Sequence, residues 1–300
     1  VAFLAFLKGE LDFISGLDAS YKDEVLTRSG SLQESYKGII NLQSQPYLNT
    51  EYLGFLMDEN NLSITLQKAV RKAINYGFDR VKMMIYLRNN IGAPALEGFV
   101  PKGLPSFTEG LSGYDYNPEK AKALLAKADV PLSAEVVLST TSSYLDICEY
   151  IQSELQEIGL NINVEVSPPS THRQMVATSK LDFLRGSWIA DYADAENYLA
   201  LFYSKNFCPN GPNYTHFKNE DFDAIYELAI QEANDSIRYS LYQQMDQIIL
   251  EEAAIVPLYY DQVIRFVQPN IENFESNGMN MLNLKRVEKF FLNLDYQKKC

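Results

Sequence analysis

No apolar run in this sequence approaches the roughly 18 to 20 residues that a bilayer-spanning helix needs, so no transmembrane segment is expected. Histidine is scarce: only His172 and His216 occur. Neither lies in an H-E-x-x-H pattern, and G-x-S-x-G is absent. No catalytic residue can be named, and a carboxylate-dependent hydrolase built on Asp191 and Asp194 is the weakest of the readings. No second His or Cys stands at ligand spacing from His216, which reads as a loop or cap residue, so neither a metal nor a cofactor is expected. The three cysteines, Cys148, Cys208 and Cys300, show no spacing of a zinc knuckle or redox pair. Cys148 reads as a small buried apolar residue, and Cys148–Cys208 is the one disulfide that merits a test. Basic residues are outnumbered, 26 Lys and Arg against 39 Asp and Glu, for a formal charge of −13. With no basic block among the aromatics, the field repels phosphate backbones and nucleic acid is not an expected partner. Internal repeats and low-complexity segments are also missing.

With 46% apolar residues in 300, the chain can bury a real core as one large domain or two ordinary ones. Val1 to Leu7 lacks the basic leader and small-residue cleavage site of a signal peptide. It reads as an amphipathic helix with Gly9 near its C-cap. Because the chain begins without Met inside an element, it reads as a piece of a longer precursor. Twenty Tyr and sixteen Phe suit adaptable contacts, which keeps an interaction module among the alternatives.

Alternating apolar residues predict strands at 39–42 and 47–57, separated by a break at Gln45-Pro46. Helical spacing predicts a helix over 62–76 with Ser63 as cap. Gly and Pro from Ile91 to Gly113 mark a long irregular connection. It ends at Asn117-Pro118, a natural N-cap followed by a residue suited to the first helical position. Strand 135–139, helix 143–158, strand 161–166, helix 171–178 and strand 182–188 then alternate as in an α/β lobe. Helices at 196–202, 219–231 and 236–254 precede a strand at 255–267. Strands before Pro46 and after Ile255 flank the α/β block, as if the chain left one lobe and came back; a hinge needs two such crossings.

Several stretches resemble the family 5 extracellular solute-binding proteins, the dipeptide, oligopeptide and nickel receptors of bacterial ABC importers. Leu7-Lys8-Gly9-Glu10-Leu11-Asp12 is similar to the family's L-x-x-G-E-x-D segment, and Tyr52-Leu53-Gly54-Phe55 to its hinge strand. The stretch from Val70-Arg71 through Ala73-Ile74-Asn75 to Asp79-Arg80 resembles V-R-x-A-I-N-x-A-I-D-R. Gly92-Ala93-Pro94-Ala95, Tyr116-Asn117-Pro118-Glu119-Lys120-Ala121-Lys122 and Ile151-Gln152-Ser153-Glu154-Leu155-Gln156-Glu157-Ile158-Gly159 follow in the family's order. The resemblance implies an α/β, periplasmic-binding-protein-like (type II) lobe, with a mixed sheet flanked by helices, plus part of a second lobe. It divides the chain into 1–45 and 256–300, belonging to lobe I, and 46–255, a complete ligand-binding lobe. The rest of lobe I and a further small domain would lie upstream of Val1.

The resemblance also implies a site. Arg185-Gly186-Ser187-Trp188-Ile189-Ala190-Asp191-Tyr192 is similar to the family's R-x-x-W-x-x-D-Y stretch, which lines the cleft and whose Asp meets a peptide's α-amino group. Asp191 is thus the expected anchor, a buried acid in a groove between two hinged bodies, giving a charge-assisted hydrogen bond to an ammonium. Arg185 could meet a carboxylate or simply pair with Asp182 or another acid. Trp188 and Tyr192 would form apolar walls, with Ser187 and Asp194 completing the expected ligand-binding set. Asp194 precedes Ala195 where the family has Pro. The implied function is a non-enzymatic receptor that closes around a peptide or similar solute and delivers it to the membrane permease of an ABC importer. A nickel-chelate or haem receptor is the alternative within the family. A monomer is expected, in the periplasm or at the cell surface, lipid-anchored or secreted.

Overall fold

The structure, a computed structural model, describes residues 2–17, 21–58, 60–128, 130–131 and 134–290. Its main sheet has seven strands: β1 (Phe13–Ser15), β2 (Asn41–Phe55), β3 (Ala93–Pro94), β4 (Glu135–Thr140), β5 (Asn161–Val166), β6 (Phe183–Ile189) and β7 (Ile255–Val267). They lie in the order β1-β7-β2-β6-β4-β5, with β3 also on β7. Strands β5, β4 and β6 run parallel, while β2 and β7 pair antiparallel, so the sheet is mixed. The helices are α1 (Ala2–Leu7), α2 (Lys22–Val25), α3 (Lys68–Tyr76), α4 (Arg80–Leu87), α5 (Pro118–Lys127), α6 (Leu145–Glu157), α7 (Pro169–Ala177), α8 (Glu196–Leu199), α9 (Glu220–Ala229) and α10 (Asp235–Glu252). No helix among the described residues is long and apolar enough to cross a membrane.

Apolar side chains of α3, α4 and α6 cover one part of the sheet, with Leu53, Phe55, Leu138 and Phe183 at its centre. A second core joins Tyr52 and Ile255 to Tyr198, Phe222 and Ile249 of α8, α9 and α10. A third, smaller core sits apart, where Phe3 and Phe6 of α1 pack on Ile264 and Phe266 near the far end of β7.

The predicted break at Gln45-Pro46 is not there: β2 passes straight through it. Pro46 faces Gln262 of β7, and the pairing slips between Pro46 and Thr50 and again between Glu51 and Tyr52. Irregular pairing of this kind tolerates a residue without an N–H. The helix predicted over 62–76 is shorter, because Ser63 caps a 3-10 turn at Ile64–Leu66 and α3 begins only at Lys68. Helix α4 was not anticipated, although Asp79 carries the signal: its Oδ1 accepts from Lys82 N at 3.0 Å. The Cys148–Cys208 disulfide, the one pairing that merited a test, is not formed. Both thiols are free, Cys148 deep in the first core and Cys208 in a loop, while Cys300 lies outside the described residues.

Three polar residues of α3 and α4 staple these helices to the return of the chain. Arg71 donates to the carbonyls of Glu252 (2.9 Å) and Ala253 (3.0 Å), which close α10, and to those of Thr65 and Leu66. Asn75 reaches Ile255 O at 3.0 Å, and the fully buried Arg80 reaches Pro257 O at 2.6 Å and Asn75 Oδ1 at 3.0 Å. Helix ends leave carbonyls without partners, and at the end of α10 the Arg71 guanidinium supplies the donors. Burial lowers the Arg80 guanidinium to about 9.

Helix α5 begins as its sequence predicts, with Asn117 Oδ1 accepting from Lys120 N at 3.0 Å and Pro118 at the first position. Asn117→Ala is expected to lower unfolding free energy by about 1 kcal/mol. Urea denaturation should show a lower midpoint with an unchanged slope; an unchanged midpoint would remove the cap's role.

Candidate functional site

Parallel strands present their carboxyl ends together, and ligands commonly sit in the crevice just outside them. Among the described residues, strand β4 meets β6 only at Phe183 and Leu184, while β6 continues to Ile189 paired with β2 alone. The other edge of β6 is therefore open from Arg185 onward. A hollow of about 550 Å³ lies along it, walled by Thr141 and Tyr144 after β4, His172 of α7, Arg185, Ser187 and Trp188 of β6, and Tyr214. Gly186 faces Tyr52 across the β2–β6 ladder, where a Cβ would come within 2.7 Å of the ring.

Arg185 forms an ion pair with Glu51 on the neighbouring strand. The expected alternative partner, Asp182, is not used. Cross-strand register explains the choice: Glu51 stands opposite Ser187, two residues along, a diagonal within reach of long side chains. The guanidinium carbon lies 3.1 Å from the centre of the Tyr144 ring. Glu51 also accepts from Asn49 at 3.1 Å and from the Tyr144 hydroxyl at 3.3 Å. Burial pushes the Glu51 carboxyl up, and Arg185 pulls it back. Asn49 extends the network to Asp261 (3.3 Å), which faces Arg88 at 3.4 Å. A second hollow, of about 330 Å³ and lined by Tyr47, Arg88, Asp146 and Asp261, adjoins the first at Ser143.

Trp188 is half-buried, and its Nε1 donates to Asn197 Oδ1 at 2.9 Å. The same oxygen accepts from the Asp191 backbone N–H at 3.1 Å, so Asn197 fixes the turn after β6. Asp191 lies in that turn and is exposed, which corrects the expectation of a buried acid. Strand β6 ends at Ile189, and the turn carries Asp191 beyond the hollow, where no described residue covers it. Tyr192 is 49% exposed beside it; its hydroxyl bonds Glu196, and burial followed by that carboxylate raises the phenol to about 12. Asp194 turns towards the helices: Oδ1 accepts from Glu196 N at 2.9 Å, and Oδ2 lies 3.7 Å from Arg238.

Arg185, Ser187 and Trp188 are thus gathered at the hollow, Asp191 and Tyr192 are not among its walls and stand exposed in the turn beyond β6, and Asp194 stabilises the start of α8. Sequence reasoning missed Glu51, Tyr144, His172 and Asn197. His172 Nε2 lies 2.9 Å from Arg185 O and so covers part of the open edge, while its Nδ1 is buried without a partner. Among the described residues, no three His, Cys, Asp or Glu side chains cluster as metal ligands would.

The sequence model of bacterial extracellular solute-binding proteins, family 5 Middle, matches residues 1–208. Heme-binding protein A of Haemophilus influenzae is 25% identical over 242 residues, covering 78% of this chain and 43% of that protein. Di/tripeptide-binding protein 2 of Pseudomonas aeruginosa is 26% identical over 227 residues, covering 73% and 42%. This chain therefore spans less than half the length of either relative. The Helicobacter pylori periplasmic binding protein DppA, solved in complex with peptide STSA, superposes with a TM-score of 0.82 at 20% identity, over 96% of this chain and 54% of that one. At that identity the likeness establishes a shared fold.

Proposed function

Because this chain belongs to the bacterial extracellular solute-binding proteins of family 5, we propose that it is the ligand-holding part of a receptor for peptides that serves an ABC importer from outside the cytoplasm. The observation that carries the reading is the open edge of β6 beside a hollow walled by Tyr144, Trp188 and Tyr214. An unpaired strand edge offers main-chain groups to an extended peptide, and the aromatic walls accept varied side chains. Asp191, exposed at the end of that edge, is the carboxylate for the peptide's α-amino group, and Tyr192 flanks it. Arg185 is neutralised by Glu51, so its part is to shape the hollow.

Residues 1–45 and 256–300 form one body in this proposal and 46–255 the other. The small core around Phe3, Phe6 and Ile264 supports the division, as does the slipped pairing of β2 and β7 between the cores. Bending there closes the bodies on a ligand, which selects the closed state by touching both. Delivery to the permease follows in the periplasm or at the cell surface, with the receptor acting as a monomer.

Calorimetric titration of the full-length protein with a peptide library tests this. Asp191→Asn is expected to weaken binding of free-amino peptides about 10- to 100-fold, the worth of a hydrogen bond to a charged group, and to leave N-acetylated peptides unchanged. Equal affinities for both peptide sets in wild type and variant would remove Asp191 as the anchor. Failure of the whole library to bind would remove peptides as the ligand class.

A further inference from the structure

Away from the hollow, four side chains from distant parts of the chain converge. Cys208 Sγ lies 3.4 Å from His216 Nε2, and the Ser179 hydroxyl lies 3.0 Å from both. On the other side of the imidazole, Nδ1 lies 3.2 Å from Asp58 Oδ2. Phe207 stacks on the ring at 4.6 Å with an 8° tilt, which fixes its plane. Asp58 is an established carboxylate, held low by the backbone N–H and then the side chain of Asn60, and by His216. It places a proton on Nδ1 and leaves the Nε2 lone pair to the thiol and hydroxyl, while the Cys208 carbonyl oxygen, 3.2 Å from Nε2, accepts from the imidazolium once Nε2 has taken a proton. A thiol, a base within reach and an acid that orients the base form the arrangement that activates nucleophiles.

Ser179 and His216 both have left-handed backbone, each at φ 52°. Ser179 follows α7, a position where glycine would serve at no steric cost. The residue found there instead brings a hydroxyl to the thiol. None of these groups belongs to the ligand hollow, although the Tyr214 phenol is shared: it lines the hollow and is raised by burial and by its nearness to Cys208.

We propose that Cys208 is a reactive thiol, activated by His216 and positioned with Asp58, that takes small electrophiles of the hydroperoxide class. His216 Nε2 accepts the Sγ proton, and the thiolate attacks one peroxide oxygen. The S–O bond forms as the O–O bond breaks, and sulfur gives two electrons to the peroxide. The departing oxygen takes the proton back from the imidazolium and leaves as water or alcohol, and Cys208 becomes a sulfenic acid. Cys208 is only 5% exposed, so the reagent must be small and pass the half-exposed Ser179.

The test uses reduced full-length protein, hydrogen peroxide as oxidant and dimedone to trap sulfenic acid, with each cysteine followed by mass spectrometry. Iodoacetamide labelling from pH 5 to 10 gives the ionisation profile, read against the groups facing the thiol, His216, Asp58 and Tyr214. Cys148 is the internal reference, since burial pushes its thiol up to about 11. Cys208 is expected to react on the order of tenfold or more faster than Cys148 at pH 7. His216→Asn, which tolerates the left-handed backbone, and Asp58→Asn should each slow it on the order of tenfold while the rate of Cys148 stays as in the wild type. Should His216→Asn unfold, visible as Cys148 becoming reactive, Asp58→Asn, at a half-buried position, decides. Reaction of Cys208 no faster than Cys148 in the wild type, or unchanged rates in the folded variants, would overturn the proposal. Peptide binding plays no part in the readout, so the receptor reading stands or falls separately.

Discussion

Arg185→Met is expected to lose about 3–5 kcal/mol of unfolding free energy at neutral pH, because it leaves the Glu51 carboxylate buried without its counter-ion. The side chain of Glu51 is only 3% exposed, and its remaining partners, Asn49 and Tyr144, are neutral. The pH dependence separates this cause from lost packing. Burial already raises the Glu51 carboxyl against the pull of Arg185, and without that pull it rises further. A carboxyl with a raised value in the folded state binds more protons there than in the unfolded chain, so the folded state gains stability as pH falls. The deficit of the variant should therefore be largest at neutral pH and shrink towards the ordinary carboxylate range. Adding Glu51→Gln to the variant should restore much of the loss. Urea midpoints across pH check both statements; a deficit constant with pH would assign the loss to packing.

Asp246 on α10 carries the second large effect. It is buried within the second core's rim, where Oδ1 accepts from Phe99 N at 2.8 Å and Oδ2 from Val100 N at 3.2 Å. Tyr260 closes the same turn, accepting from Gly98 N at 2.9 Å and donating to Gly98 O at 2.8 Å. Only glycine fits at 98, since a Cβ would overlap the carboxylate. Burial raises Asp246 from 3.8 to about 6 in spite of the two N–H groups. Between those values the folded state holds a proton that the unfolded state has released, so stability falls as pH rises through this window. A shift of about two units corresponds to roughly 3 kcal/mol. Asp246→Asn cannot accept both N–H groups and is expected to cost about 1–3 kcal/mol near pH 4. It lacks the slope, however, so by pH 7 the difference from wild type should shrink by roughly 3 kcal/mol and approach zero or reverse. Parallel profiles for the two proteins would show that Asp246 is ionised throughout.

Local signals were legible in the sequence, and pairings across it were not. The strand over 255–267 and the cap at Asn117 read directly, because alternation and capping depend on neighbours in the chain. The stretch Arg71, Asn75 and Arg80 could be matched to a family but not explained, because its targets are backbone carbonyls near residue 255. Arg185 was an open choice between ligand and acid, and the acid it takes lies 134 residues away, fixed by a register that no local pattern encodes. Asn197 escaped notice for the same reason: its amide oxygen joins Trp188 to the turn of Asp191 only once β6 and α8 have met. Pro46 misled in the opposite direction, since a local breaker was absorbed by slipped pairing with a distant strand.

The ladder between β2 and β7 joins segments far apart in the chain; Ser44 and Gln262, which touch across it, are 218 apart in sequence. Closing so long a loop must precede the contacts that reward it, and topologies of this kind fold slowly. Until Ile255–Val267 has been synthesised, β2 lacks its neighbour on one side and the carbonyls awaiting Arg71 and Arg80 do not yet exist. The central helices and parallel strands can therefore collapse early, while β7, made after them, completes the main sheet and sets when these segments become resistant to proteolysis and aggregation.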